Sequence, residues 1–294
     1  MKRLFNRLKT YALRYYYRRM NRLAWEGAPL PGVSTSLLQL PLPEQTLAAR
    51  MYHGRPDRPL MIYFHGGGWV IGDLETHHPF CLRLAERTGC TVMSIDYRLA
   101  PEHPFPTAHD DCMAASRWII DNLNALPPNN GEVVLAGDSA GGNLTLSTAI
   151  RLPEEPRLTA CLMIYPATQH YFAGMRSYVE QAKTGPLTTS LMRWFIDTYL
   201  DGMAPADPTV ELMFPDRRFS MAGFPRSLVV TAERDPLRDD GRRLANALQR
   251  AGVKVQHEHF AREAHGFACS EGPTEAQERF LDIAGRWVEQ ISAR

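Results

Sequence analysis

Short apolar runs and segments of helical periodicity alternate along most of the chain. Eight runs bounded by turn residues are predicted as strands: 37–42, 47–52, 60–64, 91–96, 132–136, 160–165, 227–232 and 253–260. Helices are predicted between them at 78–87, 110–122, 139–151, 239–251 and 274–291. This alternation predicts an α/β fold in which a mostly parallel, eight-stranded central sheet has helices on both faces.

One interval interrupts this alternation. Between residues 167 and 224 the sequence predicts only one helix, at 190–200, among loops punctuated by prolines. We interpret 167–224 as an insertion above the carboxyl ends of the strands, where open α/β sheets bind ligands. Residues 41–166 and 225–294 then form the core, and residues 1–40 form an N-terminal helical segment.

The N-terminal segment begins with a basic amphipathic helix. Residues 1–24 contain eight lysines and arginines and no acidic residue. An apolar stripe recurs at helical spacing and is formed by Leu4, Leu8, Tyr11, Tyr15 and Leu23. We expect this stripe to pack on the rest of the protein and the arginines to be solvated. Contact with an anionic membrane surface is the alternative.

The composition narrows the choice of partner. The 294 residues contain 33 Lys and Arg against 32 Asp and Glu, so no global field attracts nucleic acid, and we expect a small, weakly charged ligand. Five scattered cysteines lack metal or redox spacing, which indicates reduced and mostly buried thiols. Neither a secretory signal nor a membrane-spanning run is apparent, so we expect a cytoplasmic protein, with a homodimer as one compatible assembly.

A glycine-flanked serine is the first candidate for chemistry. Residues 137–141 match G-x-S-x-G with Ser139 at the centre. The motif directly follows a predicted strand and opens a predicted helix, the context in which it exposes a nucleophilic serine on a tight turn. The glycines remove the side chains that would clash there. The alternative is a turn in which the serine only caps the helix.

A second glycine-rich segment, HGGGW at 65–69, follows the predicted strand 60–64. Because glycines carry no Cβ, their backbone N–H groups can approach a ligand closely and stabilise an oxyanion. The N–H of Ala140, the residue after the candidate nucleophile, would join them. A flexible turn is the alternative. We expect His65 to hold this loop by hydrogen bonds and not to act as a base.

A nucleophilic serine needs a histidine to accept its proton and a carboxylate to orient that histidine. In the usual chain order both follow the serine, which leaves four histidines: His170, His257, His259 and His265. We assign His265 as the base, because it lies in the loop after the last predicted strand. His257 and His259 alternate within that strand and have half the spacing of a metal site. No companion ligands accompany them, so we expect no metal.

The acid is expected at the end of the seventh predicted strand. Asp235 lies there and is followed by a proline that favours a turn. We assign Asp235, with Glu233 as the alternative, since either carboxylate fits the pattern. Asp239 and Asp240 lie at the start of the next helix, where acidic residues interact favourably with the helix dipole without any catalytic task.

With these features in this order, the sequence resembles the hormone-sensitive-lipase-like carboxylesterases and acetyl esterases, the bacterial family IV of the α/β-hydrolase superfamily. The resemblance covers nearly the whole chain. It is carried by HGGGW at 65–69, GDLETHHPF at 72–80, DYRLAPEHPFP at 96–106, GDSAGGNL at 137–144, GPLTTSLMRWFIDTYL at 185–200, DPLRD at 235–239 and AHGF at 264–267. The stretch 207–219 departs from the family pattern.

The resemblance implies an α/β-hydrolase fold whose helical cap is formed by 167–224 together with the N-terminal segment. It also implies that the amides of Gly67 and Gly68 join that of Ala140 as oxyanion donors. The expected activity is hydrolysis of short to medium acyl-chain esters by a Ser-His-Asp triad, without a metal or organic cofactor. A binding protein on the same fold, an amidase or peptidase, and a long-chain lipase remain as alternatives.

Overall fold

The computed structural model describes residues 2–127, 129–204, 207, 210–211, 213–214, 220–269 and 272–292. Within these residues one sheet contains eight strands: β1 Thr35–Pro41, β2 Thr46–Tyr52, β3 Leu60–Phe64, β4 Thr91–Ile95, β5 Val133–Asp138, β6 Leu158–Ile164, β7 Arg226–Arg234 and β8 Val255–Ala264. Every predicted strand is present, although most of the ends shift. Because β1 begins at Thr35, the end of the segment 1–40 belongs to the sheet.

The helices also follow the prediction closely. They are α1 Lys2–Ala24, α2 His78–Thr88, α3 Thr107–Asp121, α4 Ala140–Ile150, α5 Ser177–Glu180, α6 Thr189–Leu200, α7 Arg238–Arg250 and α8 Glu275–Ser292, with short 3-10 turns at Leu123–Ala125 and Tyr171–Ala173. The insertion 167–224 contains α5 and α6. Most of the divergent stretch 207–219 lies outside the described residues. Among the helices of the described chain, none is long and apolar enough to cross a bilayer.

The strand order is β1-β2-β4-β3-β5-β6-β7-β8. β1 pairs with β2, and β2 with β4, in antiparallel orientation, whereas the five remaining pairs are parallel. The predicted α/β fold with an eight-stranded, mostly parallel sheet is therefore confirmed. Parallel strands end at a common edge, so the loops after β3, β5, β7 and β8 lie near one another.

Apolar side chains cover both faces of the sheet. Along β5, residues 133 and 135 belong to one core cluster and residues 134 and 136 to the other, because strand side chains alternate between faces. Helices α3, α4 and α7 contribute to the first cluster, and α2 and α8 to the second. This double burial explains why the central strands are continuous apolar runs. All five cysteines are buried and free, as predicted.

The N-terminal helix α1 does not bury its apolar stripe, and our expectation was wrong in this respect. Leu8, Tyr11, Tyr15 and Leu23 are exposed by 62%, 57%, 68% and 44%. The side chain of Leu4 lies outside the described part of the structure. The opposite side of the helix faces the protein: Thr10 is completely buried there, and Leu13 and Tyr17 pack against the core.

The contacts of Arg14 account for this orientation of α1. Its Nε donates to the carbonyl oxygen of Val70 (2.8 Å) and its Nη2 to that of Ala100 (3.0 Å). The same guanidinium forms a two-pronged ion pair with Glu102 (2.8 and 3.0 Å). Such planar, charge-assisted contacts are strongly directional. They hold the side of α1 that carries Arg14, Leu13 and Tyr17 against the core and leave the predicted apolar stripe facing solvent.

Candidate active site

Ser139 lies at the junction between β5 and α4. Its backbone has φ 56° and ψ −116°, a conformation of the kind that costs a non-glycine residue about 1–3 kcal/mol unless its surroundings enforce it. The Ser139 N–H donates to the carbonyl oxygen of Ile164 (2.8 Å). The Ser139 carbonyl accepts from the N–H groups of Ala167 (3.2 Å) and Asn143 (3.1 Å). These bonds hold the strained turn and present the hydroxyl above the end of β5.

The motif requires glycines at its two ends because other backbone atoms lie very close to them. A Cβ on Gly141 would overlap the carbonyl oxygen of Phe64, the last residue of β3. A Cβ on Gly137 would overlap the carbonyl of Gly141. No side-chain rotation relieves a clash with backbone atoms. The strand–turn–helix context predicted for G-x-S-x-G is therefore present, and both glycines have a steric reason.

His265 follows β8 and contacts Ser139. Its Nε2 lies 3.0 Å from Ser139 Oγ, and its Nδ1 lies 2.8 Å from Oδ2 of Asp235. Asp235 is completely buried, and its Oδ1 accepts the N–H of Leu237 (2.8 Å). The ring of Tyr165 packs 4.6 Å from that of His265, measured between centroids, and limits its rotation. The serine, histidine and aspartate selected from the sequence thus form one hydrogen-bonded chain.

Glu233, the alternative acid, has different partners. Its carboxylate accepts from Arg238 (2.7 Å) and Arg242 (3.2 Å) and lies 3.1 Å from Nε2 of His259. These contacts direct the Glu233 carboxylate towards Arg238, Arg242 and His259 and not towards His265. The geometry therefore favours Asp235.

The other candidate histidines lie apart from Ser139. His257 and His259 both contact the hydroxyl of Thr231, at 2.9 and 3.0 Å. His170 caps the 3-10 turn Tyr171–Ala173 in the insertion. Over the described residues, no group of three or more His, Cys, Asp and Glu side chains is arranged to hold a metal ion. The pair in β8 contacts the neighbouring strand β7 through Thr231.

The three residues expected to donate to an oxyanion line the same cavity as Ser139. Gly67 and Gly68 follow β3 and line this cavity together with Ser139 and Ala140. Their φ angles of +117° and +61° lie in the region that favours glycine. A Cβ on Gly68 would overlap the ring of Phe195 in α6. Ala140 is the first residue of α4, where N–H groups have no partner within the helix and form the positive end of its dipole.

Asp138, the residue before Ser139, links the glycine loop after β3 to the serine turn. Its Oδ1 accepts the N–H of Gly66 (2.8 Å) and the hydroxyl of Tyr63 (2.5 Å), and Nε2 of His77 lies 3.4 Å away. Burial alone would raise the pKa of Asp138, but the charge and hydrogen bond of His77 and the Tyr63 hydroxyl outweigh burial and lower that pKa. Sequence reasoning missed this residue, because the motif leaves its second position unspecified.

His65 has the structural role that the sequence predicted. It is completely buried, and its Nδ1 donates to the carbonyl oxygen of Gly66 (2.8 Å). The hydroxyl of Tyr97 donates to the His65 carbonyl (2.7 Å), and the two rings stack at 4.3 Å. Burial and the neighbouring His77 lower the pKa of His65 to about 4, so its ring is neutral near pH 7. These bonds fix the start of the glycine loop.

Asp240 lies in the first turn of α7, as predicted, but the sequence did not indicate its burial. It is completely buried. Its Oδ2 accepts the N–H groups of Thr168 and Gln169 (both 2.9 Å), and its Oδ1 accepts the hydroxyl of Tyr178 (2.7 Å). Burial raises the pKa of Asp240 to about 8. The carboxyl group joins the first residues of the insertion to the core, a contact that only tertiary structure reveals.

The cavity above Ser139 has a volume of about 210 Å³. Its walls are mostly apolar and come from α1 and from the insertion as well as from the core. The contributing residues of α1 and the insertion are Leu13, Tyr16, Tyr17, Ala167, Pro186, Leu187, Leu191, Met192, Phe195 and Ile196. The serine hydroxyl is thus reached through a largely apolar space, which suits an uncharged ligand.

Comparison with known proteins defines the family. Residues 61–269 match the family model described as the α/β hydrolase fold. Carboxylesterase NlhH of Mycobacterium tuberculosis is 36% identical over 216 residues, covering 72% of this chain and 67% of that protein. An arylesterase of Saccharolobus solfataricus is 32% identical over 268 residues, covering 86% of this chain and 83% of that protein.

Solved esterase structures resemble this chain in both fold and sequence. The carboxylesterase EstE1, from a metagenomic library, has a TM-score of 0.88 and 34% identity, covering 96% of this chain and 97% of that chain. A hyperthermophilic esterase of Pyrobaculum calidifontis also has a TM-score of 0.88, with 32% identity over 97% of this chain and 92% of that one. The chain therefore belongs to the α/β-hydrolase fold family. Within that family it is a carboxylic ester hydrolase of the hormone-sensitive-lipase-like group, as the sequence motifs implied.

Proposed function

We propose that this esterase is a serine hydrolase that uses Ser139, His265 and Asp235 to cleave esters with short to medium acyl chains. The observation that carries the proposal is the hydrogen-bonded chain from Ser139 Oγ through both nitrogens of His265 to Asp235, with distances of 3.0 and 2.8 Å. This arrangement lets the imidazole take the serine proton while the buried carboxylate stabilises the resulting cation.

In the proposed first half-reaction, Ser139 Oγ attacks the ester carbonyl carbon and His265 Nε2 accepts the hydroxyl proton. The negative charge that develops on the carbonyl oxygen is stabilised by the amides of Gly67, Gly68 and Ala140, each worth about 3 kcal/mol in such a site. His265 then donates the proton to the leaving alcohol, and an acyl-serine remains. Water, deprotonated by His265, then attacks the acyl carbon; as the C–Oγ bond breaks, His265 returns the proton to Ser139 Oγ and the carboxylic acid leaves.

The size of the cavity supports a short to medium acyl chain. Its volume of about 210 Å³ is below the range of about 300–1,000 Å³ that is typical for sites of drug-sized ligands. On one side, Met192 and Phe195 of α6 limit the space next to Ser139. A long acyl chain would require these side chains to move.

We also infer that the cap combines the N-terminal segment, through α1, with the insertion 167–224. The support is that both supply residues to the wall of the Ser139 cavity. The proposed partner is a small-molecule ester, and each step uses side chains and amides of this chain, without a cofactor. A cytoplasmic location is the natural setting for five free, buried thiols.

The replacement Ser139→Ala tests the nucleophile. Turnover of p-nitrophenyl butyrate should be abolished while the circular dichroism spectrum is unchanged, because the serine side chain makes no core contact that alanine lacks. The matched control is Ser147→Ala, which removes another buried serine hydroxyl of α4 and should retain activity. Retention of most turnover by Ser139→Ala would refute the assignment.

A series of p-nitrophenyl esters from acetate to palmitate tests the substrate class. We expect kcat/KM to be highest for short or medium chains and to fall once the acyl group exceeds the cavity. Tributyrin should likewise be cleaved faster than triolein. The opposite order would identify a long-chain lipase and contradict the size argument, even if Ser139 were confirmed as the nucleophile.

A further inference from the structure

The outward side of α1 has a composition unusual for a surface in water. Leu8, Tyr11, Tyr15, Arg19 and Arg22 follow one another at intervals of three or four residues, so they share one face of the helix. All five are exposed. We call this set the outer face of α1. It combines large apolar and aromatic groups with two guanidinium groups, whereas the side that contacts the core carries Thr10, Leu13 and Tyr17.

Charge is distributed unevenly between this helix and the rest of the chain. Residues 1–24 carry eight of the 33 basic residues and no acidic residue, a net charge of +8. The remaining residues carry 25 basic and 32 acidic side chains, a net charge of −7. The near-neutral total therefore conceals a basic helix on a weakly acidic remainder, in which Arg14 and Arg18 are paired with Glu102 and Asp73. A positive, aromatic-rich helix face is suited to a negatively charged partner that also accepts apolar side chains.

We propose that the outer face of α1 binds the surface of an anionic lipid bilayer. Interfacial helices insert aromatic and aliphatic side chains at the headgroup boundary while their arginines contact anionic lipid. A second copy of this chain is a poor occupant of the same face. A two-fold dimer would place the same patch against itself and bring the exposed Arg19 and Arg22 side chains of the two copies towards each other. The charge of the face thus selects lipid over self-association.

The position of α1 would bring a bound membrane close to the Ser139 cavity. On its other side, the helix supplies Leu13, Tyr16 and Tyr17 to the wall of the Ser139 cavity. A bilayer against the outer face would therefore lie one helix diameter from the cavity. If the proposed esterase function holds, esters that partition into a membrane would be concentrated beside the site.

The test uses the full chain and sedimentation with phosphatidylcholine vesicles, prepared with and without phosphatidylglycerol. We expect binding to the anionic vesicles, weak binding to the neutral ones, and weakening of the binding by salt. Substrate is omitted, so the result does not depend on the role of Ser139. Equal binding to both kinds of vesicle, or binding to neither, would overturn the proposal.

Two pairs of substitutions locate the contact. Arg19→Gln with Arg22→Gln should lower the partition coefficient on anionic vesicles about 30-fold. Leu8→Ser with Tyr15→Ser should lower it roughly tenfold. None of the four residues lines the Ser139 cavity, so turnover of soluble p-nitrophenyl butyrate should be unchanged in both double variants.

The matched control is Leu37→Ser with Phe172→Ser. These side chains are exposed by 67% and 72%, close to the 62% and 68% of Leu8 and Tyr15, but they lie on β1 and in the insertion. The control should bind vesicles like the unmodified chain. An equal loss in the control would show nonspecific adsorption. A dimer in light scattering that becomes monomeric in the Leu8 and Tyr15 variant would show that the face binds a second copy, and would also refute the proposal.

Discussion

Replacing Asp138 by alanine should disturb the oxyanion loop without touching the triad. In the structure, one carboxylate oxygen accepts from both the Gly66 N–H and the Tyr63 hydroxyl, and all three residues are shielded from solvent. Alanine leaves these two buried donors without their acceptor. Each unpaired donor costs about 1–3 kcal/mol, so the free energy of unfolding should fall by about 2–6 kcal/mol.

The same substitution should lower the rate of the chemical step. Gly66 directly precedes the two glycines proposed to bind the oxyanion, so losing its anchor allows their amides to shift. We expect a loss comparable with removing one oxyanion donor, about 3 kcal/mol or a factor of 10²–10³ in kcat. KM for p-nitrophenyl butyrate should change little, because the donors act on charge that develops in the transition state.

Urea unfolding and steady-state kinetics measure the two effects separately. Asp138→Asn keeps an oxygen that can accept both hydrogen bonds and should retain kcat within about tenfold. Tyr63→Phe removes one donor, leaves the Gly66 bond and should cost about 1 kcal/mol of stability with little change in kcat. A folded Asp138→Ala enzyme with kcat within about threefold of the unmodified enzyme would refute the positioning role of Asp138.

Three further predictions concern other parts of the site. Gly68→Ala places a Cβ against the ring of Phe195 at a φ of +61°, so kcat should fall at least about a hundredfold, and near-normal activity would contradict the close approach of α6. Asp235→Asn should lower kcat about 10⁴-fold and Glu233→Gln less than about threefold; the reverse order would identify Glu233 as the acid. Because burial raises the pKa of Asp240 from 3.8 to about 8, its contribution to stability is full below pH 3.8 and is lost as the pH rises to about 8. The difference in unfolding free energy between Asp240→Asn and the unmodified chain should therefore change by about 1.4 kcal/mol per pH unit from about pH 5 to 7, and parallel pH profiles would show that Asp240 ionises normally.

The sheet could be predicted from the sequence because its strands are buried on both faces. A run such as 60–64 is completely buried and therefore continuously apolar, which limits it to a central strand. The triad geometry followed from the same logic, since Asp235 and His265 lie where two strands end at the edge that carries Ser139. Strand ends were less predictable: β8 continues to Ala264 because it pairs with the extended end of β7.

The orientation of α1 could not be predicted in this way. Periodicity shows which residues share a helix face, but not which face the core takes. That choice depended on Arg14, whose partners Val70, Ala100 and Glu102 lie more than 50 residues away in the chain. The burial of Asp240 could not be predicted for a related reason. An acidic residue in the first turn of a helix already satisfies the dipole rule, and only the folded insertion supplies the donors that hydrogen-bond to its carboxylate.

The segment 235–240 shows how the fold separates chemistry from specificity. It holds Asp235 against His265, and five residues later Asp240 accepts hydrogen bonds from the start of the insertion. Between them, Arg238 is nearly buried and pairs with Glu180 of the insertion at 2.7 Å. Breaking that pair would leave a desolvated guanidinium, which is costly. The near part of the insertion is therefore fixed to the segment that holds Asp235, the proposed acid of the triad. In the described part of the structure, the hydrogen bonds of α6 go to other residues than 235–240, so substitutions in its apolar wall should change which ester fits while leaving Ser139, His265 and Asp235 in place.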